Sequence, residues 1–214
     1  KNFSLIFHLG MSGKLIVYFE KENEKQKLEK HDHLIFSLEG KKKLIFNDAR
    51  RFGFVDLIKD KTEFYHRFTH IGPEPLGKGF SNTYLEEKLK NSERNIKNIL
   101  MDQKTVAGLG NIYVTEALWG SKISPKRLGK NINQLDCVNL VKSIKKVLRK
   151  AISHGGTSLK DFRKVGGEFG YFQNKLNAYG KEKKKCLRRN CQGQIKKVFI
   201  GGRSSFFCTV CQNK

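Results

Sequence analysis

The sequence predicts an α+β chain built in three successive parts: a β region, a helical region and a small cysteine-bearing unit. Three observations predict it. Up to about residue 70, short runs rich in Val, Ile and Phe are bounded by glycine turns, the signature of strands. Beyond "IGPEPLG", which carries two of the three prolines, the apolar period becomes helical. Four of the five cysteines then fall between Cys186 and Cys211.

In the β region, "SLIFHLG" and "KLIVYFE" flank a turn at Met11-Ser12-Gly13, "DHLIFSLEGKKKLIFND" reads as a hairpin turning at Glu39-Gly40, and "RFGFVDLI" adds a strand. The lysine-rich "KENEKQKLEK" is a solvated loop or hairpin tip. Helices are predicted over Ser81–Lys90, Asn95–Asp102, Asn111–Gly120, Gln134–His154 and Ser158–Arg163. Asn111 and Thr157 or Ser158 suit caps, and Gly120 and Gly155 suit stops. No internal repeat is visible. The boundaries expected from this pass are 1–72, 73–177 and 178–212.

Composition narrows the partner. Lys+Arg 43 against Asp+Glu 20 gives a formal net charge of +23 in 214 residues. Self-repulsion of that size favours a polyanionic partner, with nucleic acid ahead of an anionic membrane surface. Lysines that are merely solvated are the plain alternative. No apolar run approaches the roughly 18 residues of a membrane span, and no signal-peptide pattern opens the chain.

Cys137 shares a helical face with Val141, Ile144 and Leu148, and is expected to be a buried core thiol. The other four form Cys186-x4-Cys191 and Cys208-x2-Cys211, two close pairs that bring four thiolates around one ion, the arrangement of a closed structural zinc site. Such clustering fits a metal in a reducing compartment. Between the pairs, "IKKVFI" and "SSFFC" are short strands joined at Gly201-Gly202-Arg203, so the ion would pin the base of a β-hairpin with Arg203 at or beside its tip. The cations crowding this hairpin suit phosphate contact and groove entry, although zinc ribbons also join proteins.

"HLGMSG", "HDH", "DARRFG", "HIGPEPL", "LMDQKTVAGLGNIYVTEAL", "GGTSLKDF", "GYF" and the zinc hairpin occur in that order. Together they resemble formamidopyrimidine-DNA glycosylases, bacterial enzymes that remove 8-oxoguanine and ring-opened purines from DNA. The resemblance implies a β-sandwich N-terminal domain, a helical domain with a helix-two-turn-helix, and a C-terminal zinc finger holding one zinc. It implies that Met11 fills the gap left by the flipped nucleotide, that Arg50 faces the orphaned cytosine, and that Phe52 is a wedge between base pairs. From alternation alone, Phe52 would belong to the core. His31, Lys97, Asn111 and Arg203 correspond to phosphate contacts, Asn111 at a helix N-terminus where free N–H groups favour an anion. Arg203 also corresponds to the proton donor of δ-elimination. "GGEFGYF" (166–172) would close over the extruded lesion, or is an ordinary surface loop.

The implied chemistry is base flipping, attack of an amine on C1′ of the sugar, a Schiff base, and β,δ-elimination. Damaged duplex DNA is the implied partner, met by a monomer in the cytoplasm at the nucleoid. Two departures stand out. The first zinc pair is more usually Cys-x2-Cys. The family's nucleophile, an N-terminal proline followed by glutamate, and its assisting lysine find no match. The chain opens at Lys1 inside a strand-like run, so the catalytic centre is expected to precede it and this stretch to be inactive alone. Lys1 lies too close to "HLGMSG" to be that lysine. An endonuclease VIII-type glycosylase for oxidised pyrimidines and a non-catalytic zinc-dependent DNA-binding protein are the alternatives.

Overall fold

The computed structural model describes residues 3–19, 27–157 and 170–212. Two compact units result. One comprises Lys1–Thr69 with His154–Gln173, the other His70–Ser153 with Asn174–Lys214. The helix expected over Ser158–Arg163 and most of "GGEFGYF" lie outside the described residues.

The first unit holds two sheets. Strand β1 (Ser4–His8) pairs antiparallel with β5 (Phe54–Ile58), while β2 (Lys14–Phe19), β3 (Asp32–Leu38) and β4 (Lys42–Asn47) form a second sheet in the order β2-β4-β3. The strands on either side of Met11 therefore enter different sheets. Phe7 of the first sheet joins them, its ring 5.8 Å from Phe36 and 6.4 Å from Phe46 of the second. The Glu39-Gly40 turn forms where expected, with Gly40 and Lys41 at positive φ.

The region expected to be all β instead ends in a helix, α1 (Lys61–Phe68). Its start carries a near capping box: Asp60 accepts from the Glu63 N–H at 2.9 Å, and Glu63 reaches back to the Lys59 N–H at 3.0 Å. No residue of α1 is buried, so local bonds, including an ion pair from Arg67 to Asp56, hold it. An apolar-period reading has nothing to register there.

The second unit packs α2 (Asn82–Leu89), α3 (Ile96–Leu100), α4 (Asn111–Ser121) and α5 (Gln134–Ser153) around Leu85, Ile96, Val114, Leu118, Leu140 and Ile144. Cys137 is fully buried among them, and burial, with the charges of Glu86 and Asp136, pushes its thiol up to about 11. Helix α3 ends at Leu100, short of the expected Asp102, and α4 differs from expectation at its cap and its stop. The cap of α4 is Gly110, with Asn111 its first helical residue, because the Asn111 side chain is engaged elsewhere. The helix also passes Gly120 and stops when Lys122 turns left-handed. At its other end α5 stops at Ser153, ahead of Gly155 at φ +73°. Among the described residues, no helix is long and apolar enough to cross a membrane.

The hairpin of β6 (Ile195–Ile200) and β7 (Arg203–Cys208) turns at Gly201-Gly202, both at positive φ as a two-residue turn demands. Arg203 is thus the first residue after the turn. Ahead of the hairpin, buried Glu116 of α4 accepts from the backbone N–H groups of Asn177, Ala178 and Tyr179 at 2.8–2.9 Å and from the Asn177 amide at 3.0 Å.

Buried charge also organises the first unit. Asp48 is 1 % exposed and accepts from the Ser12 hydroxyl at 2.5 Å, the Gly53 N–H at 2.8 Å and the Arg50 N–H at 3.3 Å. Ser12 in turn accepts from the Arg50 N–H at 3.0 Å. The Met11 turn and the Arg50–Phe52 loop are thereby clasped together. Gly10 permits the approach: at φ +58°, a Cβ there would sit 2.7 Å from the Phe52 backbone. Burial alone would raise the Asp48 carboxyl, but the bonds from Ser12, Gly53, Arg50 and Phe52 outweigh it and hold it below its ordinary 3.8. The stability it supplies is therefore full above about pH 3.8 and is lost as pH falls through the lower folded value. Asp48→Asn should cost about 2–3 kcal/mol near neutrality, since an amide turns one acceptor into a donor facing donors. Urea midpoints at pH 7 and at acid pH test this: the gap between variant and wild type should shrink in acid, and a gap independent of pH would contradict it.

Candidate nucleic-acid interface and metal centre

On the clasped loops of the first unit, the side chains singled out by the sequence point outward. Met11 is 62 % exposed and Phe52 55 % exposed, so alternation does not place Phe52 in the core. The reason lies in the loop: Arg51 turns left-handed at φ 56°, and Asp48 holds the chain back before β5 begins. The Arg50 guanidinium lies 4.7 Å from the Phe52 ring centre, a cation–π pair at the surface. A flexible thioether, a cation and an aromatic face thus stand on two loops whose backbones are fixed from beneath. His31 is half-buried just before β3; its carbonyl accepts from the Asp48 N–H at 3.0 Å. His33 bonds the Asp48 carbonyl at 2.8 Å through Nε2. Ser12 and Asp48 escaped the sequence reading, although both sit inside the motifs that carried it.

In the second unit, Lys97, Asn111 and Arg203 come together. Arg203 is exposed at the start of β7. Lys97 is only 1 % exposed; its ammonium donates to the Ser204 carbonyl at 3.0 Å and the Ser205 hydroxyl at 2.5 Å. The Asn111 amide donates to the same Ser204 carbonyl at 3.0 Å, leaving its Oδ1 buried with no partner among the described residues. Two helices, α3 and α4, therefore grip one carbonyl next to Arg203. Burial first, and then the neighbouring Arg203 charge, lower the Lys97 ammonium to about 8. Gly201 of the hairpin turn comes so close to Asn98 that a Cβ would lie 2.5 Å from its Oδ1. A cleft of about 350 Å³ opens here, lined by Arg94, Asn98, Asp102 and Arg203 among others, with Arg94 paired to Asp102 at 3.0 Å.

Below the hairpin, the sulfurs of Cys186, Cys191, Cys208 and Cys211 all lie within 4.8 Å of one another. Cys186 and Cys211 are 3.9 Å apart, and Cys191 and Cys208 3.6 Å. A tetrahedral ion with sulfur bonds of about 2.3 Å requires edges of about 3.8 Å, so the donor set fits a metal such as zinc. The wider Cys186-x4-Cys191 spacing leaves that fit intact. The backbone N–H groups of Val210 and Cys211 point at Cys208 Sγ at 3.4 and 3.5 Å, as thiolate acceptors favour. Gln212 completes the anchorage, accepting from the Cys208 N–H at 2.8 Å and donating to the Ile123 carbonyl at 2.9 Å.

Comparison with known proteins agrees with this geometry. Residues 1–55 match the formamidopyrimidine-DNA glycosylase N-terminal domain, and 71–163 the formamidopyrimidine-DNA glycosylase H2TH domain. The chain is 42 % identical to the formamidopyrimidine-DNA glycosylase of Roseobacter denitrificans, covering 98 % of this chain and 76 % of that protein. It is 45 % identical to that of Zymomonas mobilis, covering 98 % and 74 %. Among solved structures, Lactococcus lactis Fpg bound to abasic-site DNA superposes with a TM-score of 0.86 at 40 % identity, over 99 % of this chain and 76 % of that one. MutM with carbocyclic 8-oxo-G DNA gives 0.86 at 39 %, over 99 % and 75 %. The helix pair, the clasped loops and the four-cysteine hairpin are those of a DNA-repair enzyme, and the chain belongs to the formamidopyrimidine-DNA glycosylase family.

Proposed function

We propose that this chain supplies the lesion-holding and DNA-gripping parts of a base-excision-repair DNA glycosylase and abasic-site lyase for oxidised purines, with 8-oxoguanine and formamidopyrimidines as its lesions in duplex DNA. One observation carries the assignment of roles: Met11, Arg50 and Phe52 stand exposed on loops whose backbones the buried Asp48 clasps together. Extruding a base costs a few kcal/mol of stacking and pairing. Side chains that enter the emptied space recover part of that cost only once the base has left. Met11 fills the gap, Phe52 wedges the adjoining step, and Arg50 donates to the orphaned cytosine. Rigid loop backbones matter because a wedge that yields does no unstacking.

The second unit supplies the sequence-independent grip. Arg203 contacts a phosphate beside the lesion from the hairpin and serves as a proton donor in δ-elimination. Asn111 offers the first turn of α4 to a phosphate, and His31 a further contact from the first unit. Lys97 belongs to the same group, its charge felt at the surface through the β7 strand that it holds. A single zinc on Cys186, Cys191, Cys208 and Cys211 crosslinks the base of the hairpin, contributing folding energy rather than chemistry. The reading needs one copy of the chain per lesion, working on cytoplasmic DNA at the nucleoid.

Three measurements test this reading. Binding to an 8-oxoguanine:C duplex should exceed binding to the undamaged duplex, and Met11→Ala should remove on the order of tenfold of that preference while leaving undamaged binding unchanged. Equal loss on both duplexes would make Met11 an ordinary contact. Arg203→Ala should flatten the salt dependence of binding by about one unit of slope; an unchanged slope would take Arg203 off the phosphate. For the metal, elemental analysis should give one zinc per chain and far less in Cys208→Ser, whereas equal content in both would overturn the ligand set.

A further inference from the structure

Helix α5 carries a charge imbalance that none of these roles uses. Over its 20 residues it holds five cations, Lys142, Lys145, Lys146, Arg149 and Lys150, against one acid, Asp136. Asp136 sits in the first turn and is paired to Arg127 at 2.8 Å, so it balances none of them. Lys145 reaches the Gly77 carbonyl at 3.3 Å. Lys142, Lys146 and Arg149 are exposed, and among the described residues none of the three pairs with a carboxylate. At about 100° per residue they fall on one stripe, rising about 6 and about 4.5 Å apart along the axis. The opposite side of the helix buries Cys137, Leu140 and Ile144. Like charges three and four residues apart repel, and the helix dipole favours cations in the last turn alone, where Lys150 stands. An abundance of lysine does not by itself produce such a stripe. Helix α2 interleaves Glu86 and Glu87 with Lys88, and elsewhere in this unit Lys130 is paired to Glu93 at 2.7 Å.

The stripe stands apart from the hairpin grip. On α4, Asn111 bonds Ser204 and Trp119 joins the apolar cluster of Ile195 and Phe206, so both face the hairpin. Ala117, turned about 120–160° away from them, accepts from the Ser143 hydroxyl of α5 at 2.8 Å. Helix α4 therefore lies between α5 and the hairpin, and the stripe looks away from α4. We propose that the outer face of α5 is a second DNA-contact surface, on which Lys142, Lys146 and Arg149 hold the phosphate backbone of a duplex segment other than the one gripped at Arg203. The inference rests on the hairpin grip proposed above. A duplex carries one charge per about 1.7 Å of axis and releases counterions when cations neutralise it, which suits a row of bare charge. An anionic membrane would instead demand apolar groups that insert. Helix α5 commits its apolar face to the core, and the exposed Leu135 and Val138 precede the cations instead of flanking them. Two separate duplex surfaces let the chain pass from one DNA segment to the next without first being released into water.

Such transfer can be followed without excision. A short fluorescent 8-oxoguanine:C duplex is bound to the chain, and its release is read by anisotropy as unlabelled undamaged duplex is added in increasing excess. The wild-type release rate should rise with competitor concentration, because α5 takes the incoming duplex before the first one leaves. Raising salt from about 50 to about 200 mM should weaken that dependence on the order of tenfold or more, as about three phosphate contacts require. The triple variant Lys142→Gln, Lys146→Gln, Arg149→Gln should release at a rate independent of competitor while binding the labelled duplex as wild type does. Glutamine keeps the helix and removes the repulsion, so its melting temperature should not fall. Should the triple variant fail to fold, Lys146→Glu decides alone, a wild-type competitor dependence there overturning the proposal. A wild-type rate that ignores competitor, or equal dependence in wild type and triple variant, would also overturn it. So would loss of phosphatidylserine-vesicle binding in the triple variant with DNA transfer unchanged, which assigns the face to a membrane. If the labelled duplex is not held at the hairpin, the repair reading fails. The α5 face is then judged by its own binding of undamaged duplex, which the triple variant should lose; retention there, or no duplex binding in wild type, overturns it.

Discussion

A single backbone carbonyl, that of Ser204, joins two helices of the second unit to the start of β7. Lys97 from α3 and Asn111 from α4 both donate to it, and Lys97 also donates to the Ser205 hydroxyl. Taking an ammonium out of water costs several kcal/mol, and only good acceptor geometry offsets it. That cost is visible in the Lys97 ammonium being lowered to about 8, with Arg203 adding to the effect of burial. What the burial achieves is placement. Arg203 precedes Ser204 directly, so the exposed cation is set by the buried one beneath it. A hairpin this small has little core of its own: Ile195, Phe206 and Cys208 share a small apolar cluster with Trp119 of α4, and the carbonyl clasp fixes the start of β7 against the helices.

The first unit uses the same device with the opposite sign. Asp48 is the buried carboxylate, and Ser12, Arg50 and Gly53 are the groups it draws inward. The side chains left outside are Met11, Arg50 and Phe52. In both units a buried ion is satisfied by backbone and hydroxyl groups rather than by a counter-ion, so its charge is spent on fixing backbone. Mobile side chains then project from immobile loops. In the proposed function, which begins by prising a base from its stack, that division is useful: a wedge needs adaptable ends and an unyielding base.

Legibility in the sequence followed the range of the interactions. The cysteine hairpin was readable because metal ligands impose spacings, and the long helix α5 because it buries a continuous apolar face. Helix α1 was not, since it buries nothing and rests on Asp60 and Glu63 as caps. Asn111 looked like a cap because its residue type suits one; its amide is instead committed to Ser204, some ninety residues away. Phe52 looked like core by alternation, yet the strand does not begin until Phe54 and the left-handed Arg51 breaks the period. Lys97 corresponded to a phosphate contact, and only its distant partners on β7 account for its burial. Long-range bonds to backbone leave no local pattern, which is why Asp48, Ser12 and Glu116 passed unremarked within motifs that were otherwise recognised.

The claim that a buried cation positions the exposed one is tested most directly at Lys97 itself. Titration of its side-chain nitrogen by NMR in the isotopically labelled chain should give a value of about 8, with the stability of the second unit rising as pH climbs from there towards the ordinary 10.5. The sign follows from the lowered value: in that window the unfolded chain binds the proton and the folded one does not. Lys97→Met should abolish the rise. A Lys97 that titrates near 10.5, with stability flat across the same window, would show the ammonium in water and contradict the account.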